Sequence, residues 1–226
     1  MPKQYLENPG FDLMSPLYAT KKKIQKLSHT PIIVAVPTNE VGIWGGGLAL
    51  TFKRLFPELP RLQHALMKTH PECMGDTYLQ YAYMSNDVLI QAFPTKGKIQ
   101  SKSSIEKIRR QMVFSLSQFL EKPMLVIPKL GAGLGGLYWG EVSTDLQTYQ
   151  PDNTSIVVCD EYIDVNTIRR EDLPKILKYE VVDALSGQIV WRATFHNEDH
   201  HGDLQSLNRF YENGGIHTES LKRLAI

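Results

Sequence analysis

Two glycine-rich loops, each entered straight from an apolar run, constrain this chain more than any other feature. The first is Gly42, Ile43, Trp44, Gly45, Gly46 and Gly47, continuing into Leu48; the second, about 85 residues later, is Gly131, Ala132, Gly133, Leu134, Gly135 and Gly136. Residues 31–36 (PIIVAV) precede the first and residues 124–127 (MLVI) precede the second. Both runs are too continuously apolar for a half-exposed strand, and they read as short strands buried on both faces. Each strand then delivers its glycines at a strand end. In an open α/β sheet ligands bind outside the carboxyl ends of the strands, where glycine lets backbone N–H groups approach phosphate oxygens with no Cβ in the way. The pair reads as two sides of a nucleotide-diphosphate site.

Glycine clusters also serve turns and close helix-to-strand packing. What favours a ligand is the context, because both loops lie between a buried strand and a helix-like segment, residues 48–55 and 139–148. Neither loop is a dinucleotide fingerprint: the first lacks the GxGxxG spacing, and the second (GAGLGG) has no acidic residue about 20 positions on after a further strand. The phosphate-loop signature GxxxxGK[ST] is absent as well. Kinase, ATPase and ordinary dehydrogenase readings lose their main support.

The 226 residues suffice for one large α/β domain or for a domain of about 150 residues with an appendage. A formal net charge of +1 offers no electrostatic argument for bulk nucleic-acid or membrane binding. The two cysteines, Cys73 and Cys159, have no metal-ligand spacing and suit a reducing compartment. With no apolar leader and no run approaching 18 apolar residues, the expectation is a soluble cytoplasmic chain with no membrane partner. Nothing in the sequence calls for a cofactor or a metal.

Along the chain, residues 1–20 read as irregular and residues 21–25 (KKKIQ) as a solvated basic run. A helix over 60–68 is expected with Pro60 at its first position, then strands over 77–83 and 88–93. Ser103 or Ser104 caps an amphipathic helix running to about Leu120, and residues 155–159 (SIVVC) form another strand. This alternation argues for helices on both faces of a mixed sheet. After residue 160 the pattern changes to a β-hairpin (178–182 and 188–195) and two short helices (204–211 and 218–224). We therefore divide the chain into a domain over 1–160 and an extension over 161–226. The extension is expected to pack on the domain, because Ile176, Leu177, Val181, Ile189, Trp191, Phe195, Leu207 and Phe210 need burial and about 65 residues make a marginal core alone. The group His196, Asp199, His200, His201 and Asp203 reads as a polar loop with Asp203 as an N-cap, since adjacent histidines do not point to one centre and no second ligand cluster accompanies them.

Three ordered blocks carry a family resemblance: residues 39–50 (NEVGIWGGGLAL) followed by Phe52, Lys53, Phe56 and Pro57; Phe93, Pro94, Thr95 and Lys96 with Ser101 and residues 103–108; and residues 127–139 (IPKLGAGLGGLYW). Over roughly residues 30–160 the chain resembles the macro domains, most of all the branch that includes the DarG antitoxins. The resemblance implies a three-layer α/β/α sandwich that binds ADP-ribose and, in that branch, removal of ADP-ribose from a modified nucleobase in DNA. It implies that Asn39 faces the distal ribose and that Gly42, Gly45, Gly46, Gly47 and Leu48 line the diphosphate and ribose. Gly131, Ala132, Gly133, Leu134, Gly135 and Gly136 would close over the phosphates. Lys96 matches the family lysine implicated in cleavage, so Lys96 and Asn39 are the catalytic candidates. Trp44 and Tyr138, inside and beside the loops, fit either a wall for the ribose or base, or the core. After Lys96 this chain has Gly97, Lys98, Ile99 and Gln100 where the branch shows a His-Trp-Arg-like stretch.

Cleaving an N-glycosidic bond to ADP-ribose develops positive charge at the anomeric carbon, and the leaving group must accept electrons or a proton. A lysine serves either as a neutral amine that attacks or takes a proton, or as an ammonium that protonates the leaving group or anchors phosphate. Both roles stay open for Lys96. The implied partner is ADP-ribose or an ADP-ribosylated substrate, protein or nucleic acid, with ADP-ribosylated DNA among them. The expected function is a hydrolase that releases ADP-ribose; the alternatives are an ADP-ribose 1''-phosphate phosphatase and a non-catalytic reader of ADP-ribose or related NAD-derived nucleotides.

Overall fold

In the computed structural model, which describes residues 3–10, 12–18, 31–120, 123–159 and 168–195, the apolar runs become central strands of one eight-stranded sheet. Its strands are β1 Gln4–Glu7, β2 Ile32–Asn39, β3 Tyr78–Met84, β4 Val88–Lys96, β5 Met124–Ile127, β6 Ser155–Val158, β7 Ile176–Asp183 and β8 Ile189–Thr194. They lie in the order β1-β6-β5-β2-β4-β3-β7-β8. The first five in that order are mutually parallel, and β3, β7 and β8 add antiparallel pairs beyond β4. The sheet is therefore mixed, as the alternating pattern implies.

Among the described residues, four helices of eight or more residues cover the two faces: α1 Gly47–Leu55, α2 Glu58–Thr69, α3 Ile105–Ser117 and α4 Trp139–Tyr149. Strand periodicity explains the layering, since successive side chains of β2 go to opposite faces. Val34 and Val36 pack in one cluster with Phe52 and Leu55 of α1 and Leu62 and Leu66 of α2. Ile33 and Ala35 join the other with Ile108, Met112 and Leu116 of α3 and Val142 and Leu146 of α4. The hairpin β7–β8 contributes Tyr179, Val181 and Trp191 to the first cluster, the one that also holds Trp44. Its strand β7 pairs with β3 from Tyr78 to Met84, so the hairpin continues the sheet instead of lying on it.

Three local readings are corrected. Residues 4–7 are an edge strand parallel to β6, although Pro2, Pro9 and Gly10 around them signal an irregular segment. Helix α2 begins at Glu58 with Pro57 at its N-cap, so Pro60 falls inside the first turn, where its missing N–H would have no helical partner anyway. Strand β4 runs on through Pro94 to Lys96; it parts from β3 after Ala92, so the proline sits on what is locally a sheet edge. Of the two candidate caps, Ser104 is the one that caps α3, accepting from Lys107 N at 3.3 Å. The basic run 21–25, the His/Asp-rich segment 196–203 and the two helices expected over 204–211 and 218–224 lie outside the described residues. Among the described residues no helix is long and apolar enough to cross a membrane.

Candidate ligand site

Strands β5, β2 and β4 are adjacent and parallel, so their carboxyl ends lie side by side. The second glycine loop leaves β5, the first leaves β2, and Lys96 ends β4. The chain crosses from β4 over β2 to reach β5, which makes this a point where strand order reverses, the usual place for a crevice in an open α/β sheet.

Asn39, the last residue of β2, organises the first loop. Its Nδ2 donates to Ile43 O at 2.7 Å, while its Oδ1 accepts from the N–H groups of Val41 and Ile43, each at 3.2 Å. Gly42 N also donates to Asn39 O at 3.2 Å, and Gly42 takes a φ of 65°, which favours glycine. The loop ends at Gly46, whose extended backbone forms the N-cap of α1 with no side-chain cap. The first N–H groups of α1 thus have no side-chain cap at a positive helix end, an arrangement suited to an anion. Gly45 and Gly47 are exposed, whereas Leu48 and Gly46 are half-buried.

The second loop is tied down through Ser103. Ser103 N donates to Gly135 O at 2.9 Å, and Ser103 Oγ donates to Thr95 Oγ1 at 3.1 Å, which links the loop to the end of β4. Its six loop positions divide by packing. A Cβ on Gly135 would lie 2.3 Å from Ser103 Oγ and 2.4 Å from Gly131 O, and one on Gly131 would lie 2.7 Å from Leu137 Cδ1. A Cβ on Gly133 would meet nothing within 4 Å. Gly131 and Gly135 are glycine because of the protein's own packing; Gly133 faces open space. Between them, Leu134 is 79% exposed, and its Cδ1 would stand 3.2 Å from a Cβ on Gly46 and 3.9 Å from one on Gly47. The two loops therefore approach each other at Leu134. Ala132 is half-buried, and its N–H donates to Lys129 O at 3.2 Å.

Lys96 is half-buried, and among the described residues its ammonium has no hydrogen-bond or ion-pair partner. Beside it, Glu40 N donates to Lys96 O at 3.1 Å. The Glu40 carboxylate lies over Gly97, 3.1 Å from where a Cβ would stand, and accepts from Lys107 Nζ at 2.5 Å. Lys107 also reaches Asp76 at 3.4 Å, as does Arg110 at 3.8 Å. Partial burial works against the Lys107 charge, but hydrogen bonds and charge from Glu40 and Asp76 outweigh it and raise its pKa above the ordinary lysine value. Glu40 was not legible as a site neighbour, because the strand end that aims it at Gly97 depends on a register shift between β2 and β4.

Of the two readings open for Trp44, the core one describes it. The residue is 2% exposed, and its Nε1 donates to Gln63 Oε1 at 2.7 Å, so it anchors the first loop from beneath. Tyr138 is 73% exposed at the N-cap of α4, just after the second loop. Gln63 and Gln80, both 1% exposed, were not singled out from sequence; buried amides among apolar neighbours are the signal that marks them.

Residues 35–144 match the family model described as Macro domain. The chain is 30% identical over 125 residues to the DNA ADP-ribosyl glycohydrolase of Thermus aquaticus, a match that takes in 54% of this chain and 35% of that protein. It is 23% identical over 128 residues to the ADP-ribose 1''-phosphate phosphatase of Candida albicans, covering 52% of this chain and 81% of the relative. It thus spans about a third of the Thermus protein's length. Among solved structures, the macrodomain of Thermus aquaticus DarG superposes with a TM-score of 0.54 at 22% identity, over 70% of this chain and 99% of that one. At that identity the likeness is one of fold, and it agrees with the mixed sheet and its two helical layers. Through residues 35–144, just under half of its length, this chain matches the macro domain family.

Proposed function

We propose that the chain binds ADP-ribose across the carboxyl ends of β5, β2 and β4 and hydrolyses its linkage to a modified substrate, a nucleic-acid base or a protein. The observation that carries this reading is the alignment of three neighbouring parallel strands whose ends supply two glycine loops and Lys96. The diphosphate sits on the N–H groups of Gly45 to Gly47 and the start of α1, with Gly133 and Leu134 closing from the other side. Asn39 and Lys96 then flank the distal ribose. The partnerless ammonium of Lys96 supplies either a proton for the leaving group or, once deprotonated, a nucleophile for the anomeric carbon. The names borne by the Thermus and Candida relatives support a hydrolase of ADP-ribose linkages.

A second reading, ADP-ribose 1''-phosphate phosphatase, is favoured by the Candida relative, 81% of whose length is matched. One panel separates them: the chain incubated with ADP-ribosylated DNA, ADP-ribosylated protein and ADP-ribose 1''-phosphate, alongside calorimetry with free ADP-ribose. The expected result is micromolar binding, about −8 kcal/mol, with release of ADP-ribose from one of the first two substrates. Turnover of the phosphate ester alone supports the phosphatase. Binding with no turnover leaves a reader, and no heat with millimolar ADP-ribose overturns the proposal.

A further inference from the structure

Strand β7 carries none of the three family motifs, yet one of its side chains reaches the first glycine loop through a line of buried hydrogen bonds. Tyr179 Oη donates to Gln80 Oε1 at 2.9 Å, and Gln63 Nε2 donates to the same oxygen at 2.8 Å. Trp44 Nε1 donates to Gln63 Oε1 at 2.7 Å. Trp44, Gln63, Gln80 and Tyr179 are each at most 2% exposed, so water does not compete for any link. The line has one sense only. An indole N–H is solely a donor, so it fixes the Gln63 oxygen toward Trp44 and the Gln63 nitrogen toward Gln80. Gln80 must then present its oxygen to Gln63 and its nitrogen to the backbone, where it donates to Cys73 O at 3.3 Å. That leaves the Gln80 oxygen open to the Tyr179 hydroxyl. The Tyr179 ring is held in turn by an edge-on contact with Trp191 of β8, centroids 6.0 Å apart at 81°.

At the other end the line meets the loop twice. Trp44 is itself a loop residue, and Gln63 Oε1 lies 3.5 Å from where a Cβ on Gly42 would stand. Asn39 holds the first half of the loop at Val41, Gly42 and Ile43. The indole holds the second half, immediately before Gly45 and Gly46.

We infer that Tyr179 and Gln63 are positioning residues for the first glycine loop, so that the β7–β8 hairpin is a working part of the ligand site. The inference rests on the ADP-ribose reading for its functional consequence. If these amides served only the core, apolar replacements of similar volume would leave ligand binding alone. As positioning groups they set where the loop N–H groups stand, and their loss lowers affinity at unchanged fold.

The test uses the full chain with Tyr179→Phe, Gln63→Met and the double variant. Tyr81→Phe serves as control, since Tyr81 buries its hydroxyl among the side chains of the other face. ADP-ribose affinity, thermal midpoint and amide hydrogen exchange are read on each. Each single change is expected to weaken binding by about threefold to tenfold, the scale of one lost buried hydrogen bond, with the double variant losing less than the product of the two. Exchange at residues 42–47 should quicken while the interior of β2 stays protected and the control behaves as wild type. Wild-type affinity in both variants overturns the inference, and so does exchange that quickens equally throughout β2, which reports general loosening. If the unaltered chain takes up no ADP-ribose, the proposed function fails, and exchange alone decides this inference: faster at 42–47 in Tyr179→Phe upholds it, no change overturns it.

Discussion

Asn39 and Lys96 stand opposite each other at the carboxyl ends of β2 and β4, paired just past the register shift that follows Thr38. Without that shift Asn39 would face Thr95, and Lys96 would run on beyond the end of the ladder. The bulge sets the two catalytic candidates side by side, as bulges beside active sites commonly re-aim a side chain.

Replacing Lys96 with alanine is expected to lower kcat by roughly 10²-fold or more while ADP-ribose affinity changes little, because a proton donor or nucleophile acts mainly in the transition state. Single-turnover kinetics on the substrate found active in the panel, with calorimetry alongside, checks this. A loss of affinity at unchanged kcat would make Lys96 a phosphate anchor instead.

Asn39→Ala removes three hydrogen bonds that shape the first loop. Each is worth about 1 kcal/mol net, and the freed backbone groups regain water at the surface, so the thermal midpoint should fall by a few degrees. Binding should suffer more than stability, and titration with ADP-ribose beside a melting curve measures both.

Gly133→Glu and Gly135→Ala should part company. The first meets open space, so the chain should melt as wild type while a negative charge repels the diphosphate and abolishes binding. The second drives a methyl group into Ser103 Oγ and Gly131 O, an overpacking that costs about 1–3 kcal/mol and shows as a lowered midpoint.

Alkaline pH should destabilise the fold. Burial pushes the Cys73 thiol up to about 11 and the Tyr5 hydroxyl up to about 12, and it raises Tyr81 and Tyr83 further. Lys107 is raised as well, Glu40 and Asp76 outweighing its partial burial. Every one of these groups holds its proton more tightly folded than unfolded. Above the unfolded values the unfolded chain binds fewer protons, so stability falls with rising pH. The thermal midpoint should decline from about pH 9, where the unfolded thiol begins to titrate, and more steeply above about pH 10, where tyrosine and lysine follow. A midpoint flat to pH 12 would count against these burials.

Ending the chain at residue 160 strips β7 from β3 along seven residues and uncovers Leu79, Tyr81 and their neighbours at a long bare edge. Aggregation or a markedly lower midpoint is expected, read by light scattering on the truncated chain.

Much of this architecture was legible in the sequence because its signals are local. The runs IIVAV and MLVI are apolar at every position, and only strands covered on both sides tolerate that. The cap Ser104 and the periodic Ile108, Met112 and Leu116 marked α3 directly. What stayed hidden depends on partners distant in sequence. Gln4 to Glu7 is a strand only because β6, at Ser155 to Val158, lies beside it. Ser103 looked like a cap, and its bond to the Gly135 carbonyl could not be read from either motif alone. Trp44 suited core and ligand equally until Gln63 of α2 supplied the acceptor for its indole. The family resemblance named Asn39 and Lys96 as candidates; tertiary register decided what each one touches.

The division among the glycines of the second loop carries a reading for sequences descended from a common ancestor with this one. Gly131 and Gly135 are pinned by the protein itself, so selection for a folded chain alone keeps them. Gly133 has no such protein-side pressure, and only a bound occupant would penalise a side chain there. Lineages that kept the scaffold and abandoned its ligand should therefore drift first at Gly133 while its two neighbours in the loop stay fixed, which makes that one position a ledger of when the site fell silent.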